Sequence, residues 1–425
     1  MENIFDQGSC DAVLVAWLLM DAESKRKKDC FSSDYFIEGI NLSQMSFVDD
    51  LIEFSANVEN SNERSVTSEV FEKKTRSKFK MSKCKTMSKG KEKADVCLKG
   101  EVMEKVSEHV YLGTVISDNG ERFTEMNSRI KQSNGVANEI EQICIETELA
   151  PIRLRYVKLL TNSCLDSKLK FGCALWNITK YKNTTEKLNR IKPKIIKRVM
   201  QLPQATPSAA IQYEFGVNDL SLEVLMEKVI LAVEILKLTD ERVSKKILEA
   251  LMEKEVPGFC SEVAEACKIL DVCLESLLKL NNVREHLKKI ILELQAEQLF
   301  TRMVVSSKMD GALLQGFLYD GKIKMYLTEL SFREARAIFM SRYRMWPTKA
   351  NFPGRWEGLE CNICGMDDTD DHVCCCPGYK DIVPEGMNMN IFWDDDLLGN
   401  VEKLKSVAQC VIQIIDRMES LQKLS

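Results

Sequence analysis

Long hydrophobic runs are missing from this sequence. The longest uncharged apolar stretch, Ala12 to Met20, covers nine residues, whereas a membrane-spanning helix takes about twenty, so no membrane anchor is expected. A basic segment followed by a cleavable apolar one is missing from the start, which removes the expectation of a secretory route. Neither charge is in large excess: 59 Lys and Arg stand against 64 Asp and Glu, for a net charge of −5. That balance argues against a basic surface overall, but it is an average and says nothing about patches. Internal repeats are lacking, and 45% hydrophobic residues exclude a disordered chain as a global description.

What is present points to a globular protein. A chain of 425 residues has room for two or three domains, each with its own core. The 16 cysteines are expected to stay reduced, in an intracellular setting that is either cytoplasmic or nuclear. Cys374, Cys375 and Cys376 are consecutive, and neighbours this close rarely reach disulfide geometry, so thiol or metal chemistry is the better reading. Charge is unevenly distributed. Between Lys73 and Lys93 lie ten basic residues and one acid, Glu92. A second basic cluster runs from Lys182 to Arg198. The acids form blocks such as Asp367-Asp368-Thr369-Asp370-Asp371, which read as solvated faces.

Periodicity divides the chain into three zones. Up to about Gly120 the pattern is mixed, with a short apolar helix near Ala12 to Met20, a hairpin around Met45 to Phe54, and strands near Val96-Leu98 and Val110-Ile116. From about Arg122 to Arg344 nearly everything reads as helix, as in Leu225, Val229, Val233 and Leu236, or Leu287, Ile291, Leu294 and Leu299. The last zone holds a Cys/His cluster and a terminal amphipathic helix from Asn400 to Leu424. The fold class expected is therefore α+β.

Cys361, Cys364, His372 and Cys376 form the pattern C-x2-C-x7-H-x3-C. A Cys-x-x-Cys turn presents two thiolates on one side of a small loop, and a later His/Cys pair completes a tetrahedron, so a structural Zn²⁺ is expected. Cys376 is the favoured fourth ligand, with Cys374 and Cys375 as alternatives. Elsewhere, Phe47-Val48-Asp49-Asp50-Leu51-Ile52 places two acids inside an apolar segment of β character. A tight turn presenting both at its tip avoids burying either one. Such a pair can hold Mg²⁺ for nucleotidyl transfer, or be an ordinary turn or helix cap.

Several segments, taken in order, resemble the C-terminal part of the reverse transcriptase of LINE-type, non-LTR retrotransposons. Gln7-Gly8-Ser9-Cys10 with Leu14 resembles the template-cradling segment, without its proline. Phe47-Val48-Asp49-Asp50 is similar to the catalytic turn. Phe79 to Lys85 resembles the lysine-bearing segment that follows it, with Met81 in place of Asn. Val110 to Ser117, containing Tyr111-Leu112-Gly113, is similar to the hairpin that grips the primer. Phe171 to Trp176 and Leu202 to Pro207 resemble thumb signatures, and the cysteine cluster with Cys376-Pro377 resembles a C-terminal zinc knuckle.

The resemblance implies roles. Asp49 and Asp50 would hold Mg²⁺, and Lys83 would protonate the leaving group, or be an ordinary surface lysine. Gln7, Gly8, Tyr111, Leu112, Gly113, Lys187, Arg190, Lys194 and Arg198 would contact an RNA template and DNA primer, with Tyr111 alternatively a core residue. Lys187 to Arg198 would form a helix with Leu188, Ile191, Ile195 and Val199 inward and the basic residues outward. The expected domains are a truncated palm over 1–120, a helical thumb and connection over 121–345, and a zinc-knuckle region over 346–425. The family's first catalytic aspartate and its fingers lie upstream of the Gln-Gly segment, so the chain reads as a fragment inactive alone as an RNA-directed DNA polymerase. The alternatives are a non-catalytic zinc-stabilised nucleic-acid-binding protein and a helical protein-interaction scaffold.

Overall fold

The computed structural model describes residues 36–37, 39–47, 50–75, 78–88, 95–146, 153–305, 319–353 and 358–423. The helix expected near Ala12 to Met20, and Gln7, Gly8 and Asp49, lie outside them. The described residues form an α+β protein in which strands occupy the N-terminal part and helices the rest.

The strands are short: β1 (Phe36–Ile37), β2 (Ile40–Asn41), β3 (Gln44–Phe47), β4 (Asp50–Glu53), β5 (Lys85–Thr86), β6 (Cys97–Leu98), β7 (Glu101–Val102), β8 (Glu104–Lys105), β9 (Glu108–Tyr111) and β10 (Thr114–Ser117). They form five two-stranded pairs among the described residues. Four pairs are antiparallel, including β3 with β4 and β9 with β10, while β5 pairs with β8 in parallel. Both expected hairpins are therefore present, and Phe47 sits opposite Asp50.

One helix in this region was not expected. α1 (Val58–Thr75) has no apolar stripe; Asn57 Oδ1 caps its start by accepting from Asn60 N at 2.9 Å, and Ser65 Oγ and Thr67 Oγ1 each bond back to the carbonyl four residues earlier at 3.0 Å. Local capping, and not hydrophobic periodicity, marks it.

Besides a short helical turn over Asp166–Leu169, the helices that follow are α2 (Phe123–Glu146), α3 (Arg153–Leu160), α4 (Lys182–Asn189), α5 (Ile191–Val199), α6 (Ser208–Phe215), α7 (Leu220–Leu236), α8 (Val243–Glu253), α9 (Phe259–Ile269), α10 (Leu274–Leu278), α11 (Val283–Val304), α12 (Tyr326–Glu329), α13 (Phe332–Arg342), α14 (Asp370–Cys375), α15 (Asp395–Leu398) and α16 (Val401–Lys423). None of the described helices is long and apolar enough to cross a membrane. α7 is the centre of the helical part. Asp219 caps it by accepting from Ser221 N at 2.8 Å, and α8, α9 and α11 pack against it. Leu225, Val229, Ile230 and Val233 are buried along it, each worth about 1.5–3 kcal/mol of apolar burial. Its buried charges are paired: Glu223 with Lys170 at 2.6 Å and Lys228 with Glu262 at 2.6 Å.

The expected single helix over Lys187 to Arg198 is two helices. α4 and α5 meet at Arg190, and Pro193 in the first turn of α5 suits a helix start and not a helix interior. Leu188, Ile191, Ile195 and Val199 are buried as expected, but Lys192 is buried too and pairs with Asp166 at 2.6 Å.

The buried apolar residues from Met126 to Met418 make one cluster that continues across position 345. Phe71, Val96 and Leu98 are buried apart from it. The continuity comes from α16, whose Leu404, Ala408, Val411 and Ile414 are fully buried where α16 lies on α13. A buried ion pair ties α6 to α13: Arg342 Nε donates to Glu214 Oε1 at 2.8 Å, and the Tyr343 hydroxyl donates to the same oxygen at 2.7 Å. Both charged side chains are at most 2% exposed. Glu214→Gln should leave Arg342 buried without a counter-charge and cost about 3–5 kcal/mol in chemical denaturation; a loss below about 1 kcal/mol would show that water reaches the pair.

Candidate metal centre and cationic groove

The Cys361 loop begins at the antiparallel bridge Glu360 to Asp367. Cys361 N donates to Met366 O at 2.6 Å and Gly365 N to Cys361 O at 2.9 Å. Gly365 has φ 74°, the left-handed conformation that glycine adopts without steric cost. The tight turn brings Cys361 and Cys364 to one side. The other two donors come from α14 and the residue after it, with His372 in the first turn positioned by Thr369, which accepts from His372 N at 3.1 Å.

The donor atoms of Cys361, Cys364, His372 and Cys376 all lie within 4.8 Å of one another. Cys376 Sγ is 3.9 Å from Cys361 Sγ and 3.8 Å from Cys364 Sγ, and Cys364 Sγ is 3.2 Å from His372 Nε2. Around a tetrahedral ion with the usual zinc bond lengths, sulfurs stand about 3.8 Å apart and sulfur and nitrogen about 3.5 Å. The cluster fits a metal such as zinc. The backbone amide of Met366 favours the Cys364 thiolate and holds its pKa below the ordinary thiol value. Cys374 and Cys375 face elsewhere. Burial pushes the Cys374 thiol up to about 12, while exposed Cys375 donates to His372 O at 3.2 Å.

The acid block that runs into α14 is only half a solvated face. Asp368 and Asp370 are buried: Asp368 Oδ2 accepts from Lys349 N at 2.9 Å, and Asp370 accepts from Trp346 N at 2.9 Å and Asn351 Nδ2 at 2.7 Å. These carboxylates satisfy backbone amides that burial would otherwise orphan, and so join the metal loop to the end of α13. Asp367 and Asp371 are exposed. Sequence spacing carries no signal for which acids turn inward.

The Tyr111-Leu112-Gly113 segment closes the β9 to β10 hairpin. Tyr111 pairs with Thr114, and Leu112 and Gly113 have φ 48° and 78°, the two positive values of a type I′ turn. Leucine in that conformation is strained. The turn is held by residues that sequence reasoning missed. Arg129 on α2 donates to Gly113 O, lies 4.6 Å from the Phe171 ring centroid and pairs with Glu125 at 2.5 Å; Glu125 also accepts from Val115 N at 2.7 Å. The four-residue spacing of Glu125 and Arg129 was the available signal. The hairpin and the Phe171-Gly172 segment, read separately as two motifs, are thus in contact.

Asp50 opens β4 and is exposed. It lies close enough to Tyr111 that its charge, after burial, helps raise the phenol's pKa. Lys83 stands exposed in a 3₁₀ turn over Met81–Lys83, and no hydrogen bond or ion pair among the described residues joins it to Asp50. Among the described residues only the Cys361 cluster gathers three or more His, Cys, Asp or Glu donors close enough to share a metal.

Lys187, Arg190, Lys194 and Arg198 line one groove of about 310 Å³ between α2 and the α4–α5 pair. Ile130, Ala137, Ile191 and Ile195 form its floor, and Asn134, Asn138 and Glu141 its other wall. Spacings of three, four and four residues correspond to about 4.5–6 Å of helical rise between successive cations, with Arg190 at the junction of α4 and α5. The groove continues past Arg198 to Gln142 and Ile145. Neither Lys187 nor Lys194 has an ion-pair partner among the described residues.

No protein-family model matches the chain, and no curated protein matches it in sequence. The metal centre is directly testable. The purified protein should carry about one zinc by elemental analysis; Cys376→Ser should lose it and lower the thermal midpoint by several degrees, while Cys375→Ser should keep both. Equal loss in the two variants would reject Cys376 as the fourth ligand.

Proposed function

We propose that this chain is a nucleic-acid-binding protein of retrotransposon reverse-transcriptase descent, which holds the backbone of an RNA–DNA hybrid in the groove between α2, α4 and α5 and carries a structural zinc in its C-terminal region. The observation that carries the reading is the alignment of Lys187, Arg190, Lys194 and Arg198 along one groove. Four cations on helices whose other faces are buried make a rigid track for phosphates, and such contacts give register and affinity without reading sequence. The Tyr111-Leu112-Gly113 turn, anchored through Arg129 to α2, belongs to the same body and would steady a strand end.

Two-metal nucleotidyl transfer depends on several carboxylates placed within tenths of an ångström of the reacting oxygens, whereas binding needs only the cations that line the groove, and the groove therefore carries the proposal. Asp49 and Asp50 would hold Mg²⁺ by resemblance, and Lys83 would act as the acid. Primer extension on an RNA template, abolished by Asp50→Asn, would restore the enzymatic reading.

Affinity for a labelled RNA–DNA hybrid should fall with salt with a log–log slope of about −2 to −3, for the net neutralisation of three phosphates, Arg198 being already neutralised by Glu141. Lys187→Ala with Lys194→Ala should make that slope shallower by about 1.4–1.8. Binding that ignores salt between about 50 and 200 mM would overturn the groove as the site.

A further inference from the structure

The four cations of the groove are not equivalent. Lys187 and Lys194 have no ion-pair partner among the described residues, whereas Arg198 Nη1 is bonded to Glu141 Oε2 at 2.7 Å. Arg190 also has a carboxylate, Glu186, at 3.2 Å, but that pair lies on the outer surface with both side chains largely exposed, and Glu186 does not line the groove. Glu141 does. It is the one acid among the residues lining the groove and its continuation, and its side chain is 22% exposed. α2 therefore places an anion where the track of cations would meet its last phosphate.

We propose that Glu141 is a built-in competitor for that phosphate and so sets which anions the groove accepts; this rests on the nucleic-acid reading above. A phosphodiester carries one negative charge, as the carboxylate does, so exchanging one for the other on Arg198 gains little by itself. A lone anion has no advantage over a carboxylate already tethered in place. A strand held by Lys187 and Lys194 presents its next phosphate at high local concentration, and the exchange becomes favourable. The groove thus discriminates against short anions and in favour of a polyanion long enough to span from Lys187 to Arg198.

The test measures binding of a labelled RNA–DNA hybrid of about twenty base pairs between about 50 and 200 mM salt. Glu141→Gln should raise affinity about threefold to tenfold and steepen the salt slope by about 0.7–0.9, the increment for one added phosphate contact. Glu139→Gln removes the same charge from an exposed position on the same helix outside the groove, and should change neither quantity. Arg198→Gln should weaken binding of the wild type, because it removes the cation on which the exchange takes place and leaves Glu141 unpaired in the groove, and Glu141→Gln should bring no gain in that background. Equal gains from Glu139→Gln and Glu141→Gln, or a gain that survives Arg198→Gln, would overturn the proposal in favour of a long-range charge effect. An unchanged slope in Glu141→Gln with normal helix content by circular dichroism would also overturn it. If the wild type binds no hybrid at all, the nucleic-acid reading fails, and the competitor role with it.

Discussion

The buried pair of Glu214 and Arg342 is the constraint on which the helical part depends. Arg342 sends Nη1 to Phe392 O at 2.7 Å, its guanidinium lies 4.0 Å from the Trp393 ring centroid, and Trp393 Nε1 returns a bond to Arg342 O at 3.0 Å. One side chain thus bonds α6 through its charge and the C-terminal region through its remaining donors. A buried guanidinium is tolerated only when its donors are spent on partners. That requirement fixes α6, α13 and the segment before α15 in one arrangement, with Trp346 edge-on to Phe392 at 6.4 Å nearby.

The metal loop inherits its position from this junction. α13 ends at Arg342, and the next residues offer backbone amides at Trp346 and Lys349 that Asp370 and Asp368 accept. The same short segment that carries those two acids carries His372, so capping the α13 exit and orienting a metal ligand are parts of one local structure. A metal held by the Cys361 cluster would stabilise a loop whose other end is already tied to the core. The groove is also set by burial: Ile191, Ile195 and Val199 bury one face of α5, and Lys194 and Arg198 line the groove on another.

How much of this was legible depended on whether a signal was local. The two hairpins, the buried positions of α7 and α11 and the Cys₃His cluster that could hold a metal all follow patterns of a few residues, and sequence spacing located them. Three features needed tertiary information. α1 was invisible because it carries no apolar stripe and its one start signal is the Asn57 cap. The break at Arg190 was obscured by a continuous apolar pattern running through Pro193. Lys192 and the acids Asp368 and Asp370 read as solvated, yet they are buried, because a distant partner or an orphaned amide makes burial tolerable.

By itself the sequence determined the α+β class, the four Cys and His residues that come together as a candidate metal site and the existence of a basic segment near position 190. The tertiary structure decided which charges are available. It spent Lys192 on Asp166, set Glu141 against Arg198, and left Lys187 and Lys194 lining the groove. The physical reason is that hydrophobic periodicity is written along the chain, whereas the pairing of a charge is settled by whatever element packs beside it.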